Sequence, residues 1–222
     1  MVWGPILADR ASVVARPRLP TSGATGILQR MNPSPLLPSI PLVPEHVSNE
    51  IYLDVETLRL SDEVPGGWSR IRDFGLAVAI TWDSNCQFRA WFEPDAAALI
   101  NELHKFSRIV TFNGDRFDLE VLSAYGAVRP LRQKSFDVLV EIQNLIGRRV
   151  KLDHVVGQTL GVQKTADGIQ AVDWWRKGEK DKVVEYCCHD VELLMRLVIH
   201  ARQNGSITID GRALEVNWTP RK

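Results

Sequence analysis

The chain is poor in cysteine. Three are present among 222 residues, Cys86, Cys187 and Cys188. The number is odd, the last two are adjacent, and no CxxC pair occurs, which excludes a disulfide framework and a structural zinc site. A reducing, cytoplasmic setting is the expectation. No run of about 18 apolar residues is present, so no membrane-spanning helix is expected. Charge of one sign is also missing. Lys and Arg total 27 and Asp and Glu total 27, for a net charge of zero. A protein that coats nucleic acid by electrostatics alone is usually basic. Neutrality therefore argues against packaging, yet it leaves room for an enzyme that grips one strand end through metal ions and a few basic groups. The rest is ordinary: 45% hydrophobic and 24% charged, enough for one sizeable core and one domain.

Residues 1–48 stand apart. They hold most of the 12 prolines, four arginines and two acids, with no sustained helical or strand period. Such a stretch reads as a disordered leader, either with a transit-peptide flavour or as a misassigned start, with Met31 the true initiator. A folded domain is expected over 49–205, followed by a C-terminal hairpin and tail over 206–222. Ile51–Glu56, Ile71–Trp82, Cys86–Phe92 and Arg108–Phe112 read as strands. The Asp83-Ser84-Asn85 turn joins the second and third. A short extended stretch before Phe136 is a fifth. Helical spacing marks Asp95–Phe106, Phe117–Tyr125, Asp137–Ile146, Leu152–Leu160, Ala171–Arg176 and, longest, Val183–Gln203, which stops at Gly205. Asp210-Gly211 between two short apolar runs signals a hairpin. Strands first, then strand–helix alternation, predict an α/β fold with an antiparallel beginning.

Three acidic motifs succeed one another along the chain. The first is Asp54-Val55-Glu56, in an apolar strand. Alternate side chains share a face, so Asp54 and Glu56 point together, about 7 Å apart, with Leu53 and Val55 opposite. The strand is too apolar for an edge, so its two acids need a reason. The second is Asn113-Gly114-Asp115-Arg116-Phe117-Asp118, at a strand-to-helix turn. Helix capping accounts for Asp115 or Asp118 but less well for both. The third is Tyr186-Cys187-Cys188-His189-Asp190. Tyr186 and Asp190 are four apart and share a helix face that continues through Leu197. An aspartate on an inward face must be paired or bind metal, and the nearest cation is Lys182. Should the three converge, Asp54, Glu56, Asp118 and Asp190 would repel one another unless cations lie between them. Oxygen-only ligation selects Mg²⁺ or Mn²⁺. Two such ions serve phosphodiester hydrolysis, with the Tyr186 phenol orienting the attacking water.

The order D-x-E, N-x3-F-D, Y-x3-D resembles the DEDD exonuclease superfamily on the ribonuclease H-like fold, a mixed sheet flanked by helices. Its tyrosine resembles the DEDDy branch; the histidine branch would place His at Glu185, and His189 is out of register for that. Ser135-Phe136-Asp137-Val138-Leu139 and Val150-Lys151-Leu152-Asp153 resemble the family's connecting segments. Tyr186–Leu194 is similar to YprB-like predicted nuclease domains, which occur beside helicases. The resemblance spans about residues 50–205. It implies 3′-to-5′ exonuclease activity on DNA or RNA. Asp54, Glu56, Asp118, Tyr186 and Asp190 would be catalytic, and the four acids would ligate two divalent cations. Thr57, Leu58, Asn113 and Phe117 would contact substrate. The implied partners are a single-stranded 3′ end and a helicase. Where the family often carries glycine after the first motif, this chain has Thr57-Leu58-Arg59. The rival readings are a catalytically silent ribonuclease H-like module that binds nucleic acid or a helicase, and an endonuclease on the same fold.

Four weaker features remain. Trp174-Trp175 is read as a packing plug before a base-stacking pair. Lys164 is read as a solvated loop lysine before a phosphate ligand. Arg148, Arg149 and Lys151 form the one dense basic cluster. His154 is read as structural.

Overall fold

The computed structural model describes residues 49–162 and 168–220. The leader and Lys164 lie outside the described residues. A five-stranded sheet runs in the order β3-β2-β1-β4-β5. β1 (Glu50–Thr57) pairs antiparallel with β2 (Leu76–Asp83), and β2 antiparallel with β3 (Gln87–Phe92). On its other side β1 runs parallel to β4 (Arg108–Thr111), and β4 parallel to β5 (Ser135–Asp137). The helices are α1 (Ala96–Leu103), α2 (Asp118–Leu122), α3 (Arg129–Arg132), α4 (Val138–Ile146), α5 (Leu152–Leu160), α6 (Gly168–Arg176) and α7 (Lys180–Asn204). A hairpin of β6 (Ser206–Ile209) and β7 (Arg212–Glu215) comes after α7. This is the mixed ribonuclease H-like α/β arrangement expected from the sequence.

β1 is central, as its apolar run requires. Its alternation separates two cores. Ile51, Leu53 and Val55 pack with α1, α2 and Leu76 on one face. Tyr52 faces the other layer with α4, α5, α6 and α7. Asp54 and Glu56 continue the Tyr52 row, so they face α7.

The second strand is shorter than its apolar run. Ile71–Asp73 is a 3₁₀ turn, and the strand begins at Leu76. Gly75 separates them at φ +74°, a left-handed conformation that ends one element before the other begins. Ile71 and Phe74 are buried with the α1–α2 core instead, and they anchor the 58–75 segment. α3, a single turn opening around Pro130, was not anticipated. α2 stops at Leu122, three residues short of the expected Tyr125. The last hairpin turn behaves as predicted: Asp210 and Gly211 have φ +52° and +72°, the signature of a type I′ turn.

The hairpin and the C-terminal tail share the main core. Ile207, Ile209 and Trp218 are buried with α7. Buried Glu50 pairs with Arg108 at 3.2 Å and Arg202 at 2.8 Å, and both arginines donate to the Trp218 carbonyl at 3.1 Å. No helix among the described residues is long and apolar enough to cross a membrane.

Candidate metal centre and its surroundings

The strand brings Asp54 and Glu56 to α7. Carboxylate oxygens of Asp54, Glu56 and Asp190 all lie within 4.8 Å of one another. Asp190 is buried and the other two are half-buried. Three acids from two elements far apart in sequence thus meet at one point, with oxygen donors alone. That donor set suits a hard divalent cation such as Mg²⁺ or Mn²⁺, which would ease the mutual repulsion.

Asp118 stands next to this group but outside that mutual distance. It opens α2 and is buried. It is buried close to Asp54 and the Val55 backbone N–H, so it stands against β1 rather than acting as a solvated cap. Burial, and then the charge of Asp54, push its pKa well above the ordinary value of 3.8. That is the state a bridging metal would relieve.

Tyr186, also buried, stands beside Asp190 on α7. Burial, followed by the charges of Asp190, Glu56 and Asp54, raises its phenol far above its ordinary pKa of 10.0. The hydroxyl stays protonated, so it can orient a water but cannot serve as a base. Lys182 pairs with Glu179 at 2.8 Å.

Two contributors escaped the sequence. Cys187 is fully buried, and its thiol donates to Asp54 Oδ2 at 3.1 Å. Burial and the Asp54 charge hold that thiol protonated, so it acts as a weak donor that fixes the carboxylate's orientation. Its position one residue after Tyr186 gave no separate signal. Asp137 did leave one, an Asp directly before an apolar helical run. It caps α4 through Leu139 N at 3.0 Å and also accepts from Asn113 N at 2.8 Å and Asp115 N at 3.1 Å. One buried carboxylate therefore pins the turn that delivers Asp118. Gly114 in that turn is obligatory: a Cβ would fall 2.3 Å from Thr111 Oγ1. Asp137→Ala should lower stability by about 2–4 kcal/mol, since it leaves buried N–H groups unpaired. Hydrolysis should fall about 10–100-fold, as for the loss of a group that orients a ligand. Melts, and rates measured well below the melting temperature, check both.

The expected substrate residues fall in two pairs, Thr57 with Leu58 at the end of β1 and Asn113 with Phe117 in the turn before α2, where Phe117 N donates to Asn113 O at 2.9 Å. Thr57 is buried, and its hydroxyl donates to Arg59 O at 3.1 Å. Leu58 N bonds Gly75 O at 3.2 Å. Asn113 accepts from Arg149. Phe117 packs on Phe74, with ring centroids 6.3 Å apart. Trp174 meets Tyr186 edge-on at 6.2 Å, and Trp175 lies against Phe92 at 6.3 Å, so both indoles are half-buried against the main core. Arg148 and His154 both bind Asp210 at the hairpin tip. The basic cluster is partly spent on that internal contact, which His154 shares.

The chain belongs to the RNase H superfamily: the RNase_H_2 family matches residues 51–202, and membership with this fold supports a nuclease. No curated protein sequence matches it. Among solved structures it is similar to the family B DNA polymerase of the archaeon Pyrobaculum calidifontis. There the TM-score is 0.51 and the identity 14%, over 68% of this chain and 24% of the polymerase, a likeness of fold. The chain thus spans about a quarter of that protein. A second similar structure is the apo form of a nuclease, with TM-score 0.47 and 17% identity over 72% of this chain and 76% of the other.

Proposed function

We propose that this protein is a metal-dependent 3′-to-5′ exonuclease of the DEDDy type that hydrolyses phosphodiester bonds of DNA or RNA. The observation that carries the reading is the meeting of Asp54, Glu56 and Asp190 within 4.8 Å, with Asp118 buried beside Asp54. Asp54, Glu56 and Asp190 would hold one cation; Asp54 and Asp118 would share the second. When bound, these ions supply a water of lowered pKa and neutralise charge on the leaving 3′ oxygen. The chain's own residues do the rest. Tyr186, beside Asp190, aims the attacking water at phosphorus. Cys187 and Val55 N–H hold Asp54 and Asp118 in place. The water oxygen bonds to phosphorus and gives up a proton to solvent, the P–O3′ bond breaks, the 3′ oxygen takes a proton from solvent to become the new 3′-hydroxyl, and a nucleoside 5′-monophosphate departs. Asn113 and Phe117 flank Asp118 at the mouth of the turn and would meet the terminal nucleotide, with Thr57 and Leu58 following Glu56 on the strand.

The partners in this reading are a single-stranded 3′ end and, by likeness to YprB-like domains, a helicase. Protonated thiols at Cys187 and Cys188 suit a reducing cytoplasm. A purified preparation with Mn²⁺, given 5′-labelled and 3′-labelled single strands, decides the reaction. A shortening ladder from the 5′ label with mononucleotide released from the 3′ label supports it; a single internal cut, or none, refutes it. Tyr186→Phe keeps the ring and removes one hydroxyl. Its rate should fall on the order of 10–1000-fold, the range for one positioning hydrogen bond. Full activity would make Tyr186 a core residue only.

A further inference from the structure

A small cleft opens beside the second motif, lined by Trp68, Ile71, Asn113, Arg116, Phe117 and Arg149, with a volume of about 240 Å³. Its most unusual member is Trp68, 58% exposed although it is a large apolar side chain. It sits in the 58–75 segment between β1 and β2, with ring centroids 5.8 Å from Phe74 and 6.2 Å from Phe117. Phe74 and Ile71 are buried, so the indole rests on a fixed aromatic base. Packing accounts for the edge that meets Phe74 and Phe117. It does not account for the surface left in the cleft. The polar side of the cleft is formed by the exposed Arg116 and Arg149. Arg149 is braced on the Asn113 side chain. Among the described residues no carboxylate lines it, although Asp118 is the next residue after Phe117. The volume lies below the about 300–1,000 Å³ typical of drug-sized ligands and suits one flat ring system.

Resting on the nuclease reading, we infer that Trp68 is a stacking platform for one unpaired nucleobase of the substrate strand, with Arg116 and Arg149 facing its phosphates. Aromatic faces accept any base because every base has a π face, and neighbouring guanidinium groups add backbone attraction. A paired base has both faces covered by its neighbours in the duplex. The platform therefore selects single strands over duplex ends without selecting sequence. It takes deoxyribose and ribose strands alike, because stacking does not touch the sugar.

Binding is measured in EDTA, where no hydrolysis occurs, by fluorescence anisotropy of a short labelled deoxyribo-oligonucleotide, its ribo counterpart and a blunt duplex. Trp68→Ala should weaken both single strands about 5- to 150-fold, corresponding to the about 1–3 kcal/mol of one stacked base. Trp68→Phe should recover most of that loss, and duplex binding should match the wild type in both variants. Thermal melts confirm that both variants fold, as an exposed position allows. Single-strand affinity unchanged in Trp68→Ala overturns the inference, as does a Trp68→Phe variant no better than alanine, or an equal loss on duplex. If the wild type still degrades single strands with Mn²⁺ in those cases, the nuclease reading survives alone. If the wild type neither binds nor degrades any of the three, both fall.

Discussion

Asp190→Asn should fold, melt in EDTA at or above the wild-type temperature, and cleave phosphodiester bonds on the order of 10³-fold more slowly or not at all, well beyond the about 10–100-fold typical of losing an outer partner. Asp190 is buried among Asp54, Glu56 and the Tyr186 hydroxyl. The amide keeps the shape and removes one of three like charges, so the metal-free fold gains while the ligand set is broken. Asp118→Asn should behave the same way. Its carboxyl is buried against Val55 N–H and raised in pKa by burial and by Asp54, an arrangement a helix cap does not need. Persistent hydrolysis by the Asp118 variant at a wild-type melting temperature would return that residue to a local structural role. Persistence in the Asp190 variant would remove the centre from the reaction altogether.

Metal alone should stabilise the wild type, with no substrate present. A ligand that binds only the folded state at about 100 times its dissociation constant adds about 2.7 kcal/mol. For a domain of this size each kcal/mol moves the melting temperature by about 2–4 °C. Millimolar Mn²⁺ should therefore raise the wild-type midpoint by about 5–10 °C relative to EDTA. Asp54→Asn removes the carboxylate that faces Glu56, Asp190 and Asp118 together. In EDTA it should melt at or slightly above the wild type, by about 1 kcal/mol at most, because one repelling charge is gone. Its response to Mn²⁺ should be less than half as large. Equal shifts in both proteins, or none in either, would mean that the acids do not form a common binding site.

Much of this was legible in the residues because periodicity carries it. A central strand with two acids on one face, and a helix with Tyr186 and Asp190 four apart, could each be placed from spacing alone. What spacing could not supply was distance between elements. Nothing local says that Asp118 reaches Val55, that Cys187 lies 3.1 Å from Asp54, or that Asp137 holds the turn at Asn113 and Asp115. These are tertiary contacts, separated in sequence by 24 positions for Asp137 and Asn113 and by 133 for Cys187 and Asp54. The expected strand over Ile71–Trp82 forms but begins only at Leu76. Ile71 and Phe74 are buried in the same core as Leu76 and Ala79, so hydropathy runs on unbroken while the change from 3₁₀ turn to strand at Gly75 is a matter of backbone conformation. Trp68 escaped notice because a lone tryptophan in a loop has no period to betray it.

The alternation along β1 also acts as an error check during folding. Ile51, Leu53 and Val55 face one core while Tyr52, Asp54 and Glu56 face the other side. A one-residue slip against β2 would exchange the two rows. Asp54 and Glu56 would then be driven into a layer of leucine, isoleucine and phenylalanine, where a bare carboxylate is prohibitively costly. Misregistered chains are rejected by the same side chains that would perform hydrolysis. Selection for the reaction and selection for the correct strand alignment therefore act on one pair of residues. Glutamate in place of aspartate at position 54 would keep this safeguard. An apolar replacement at position 54 or 56 would remove both at once.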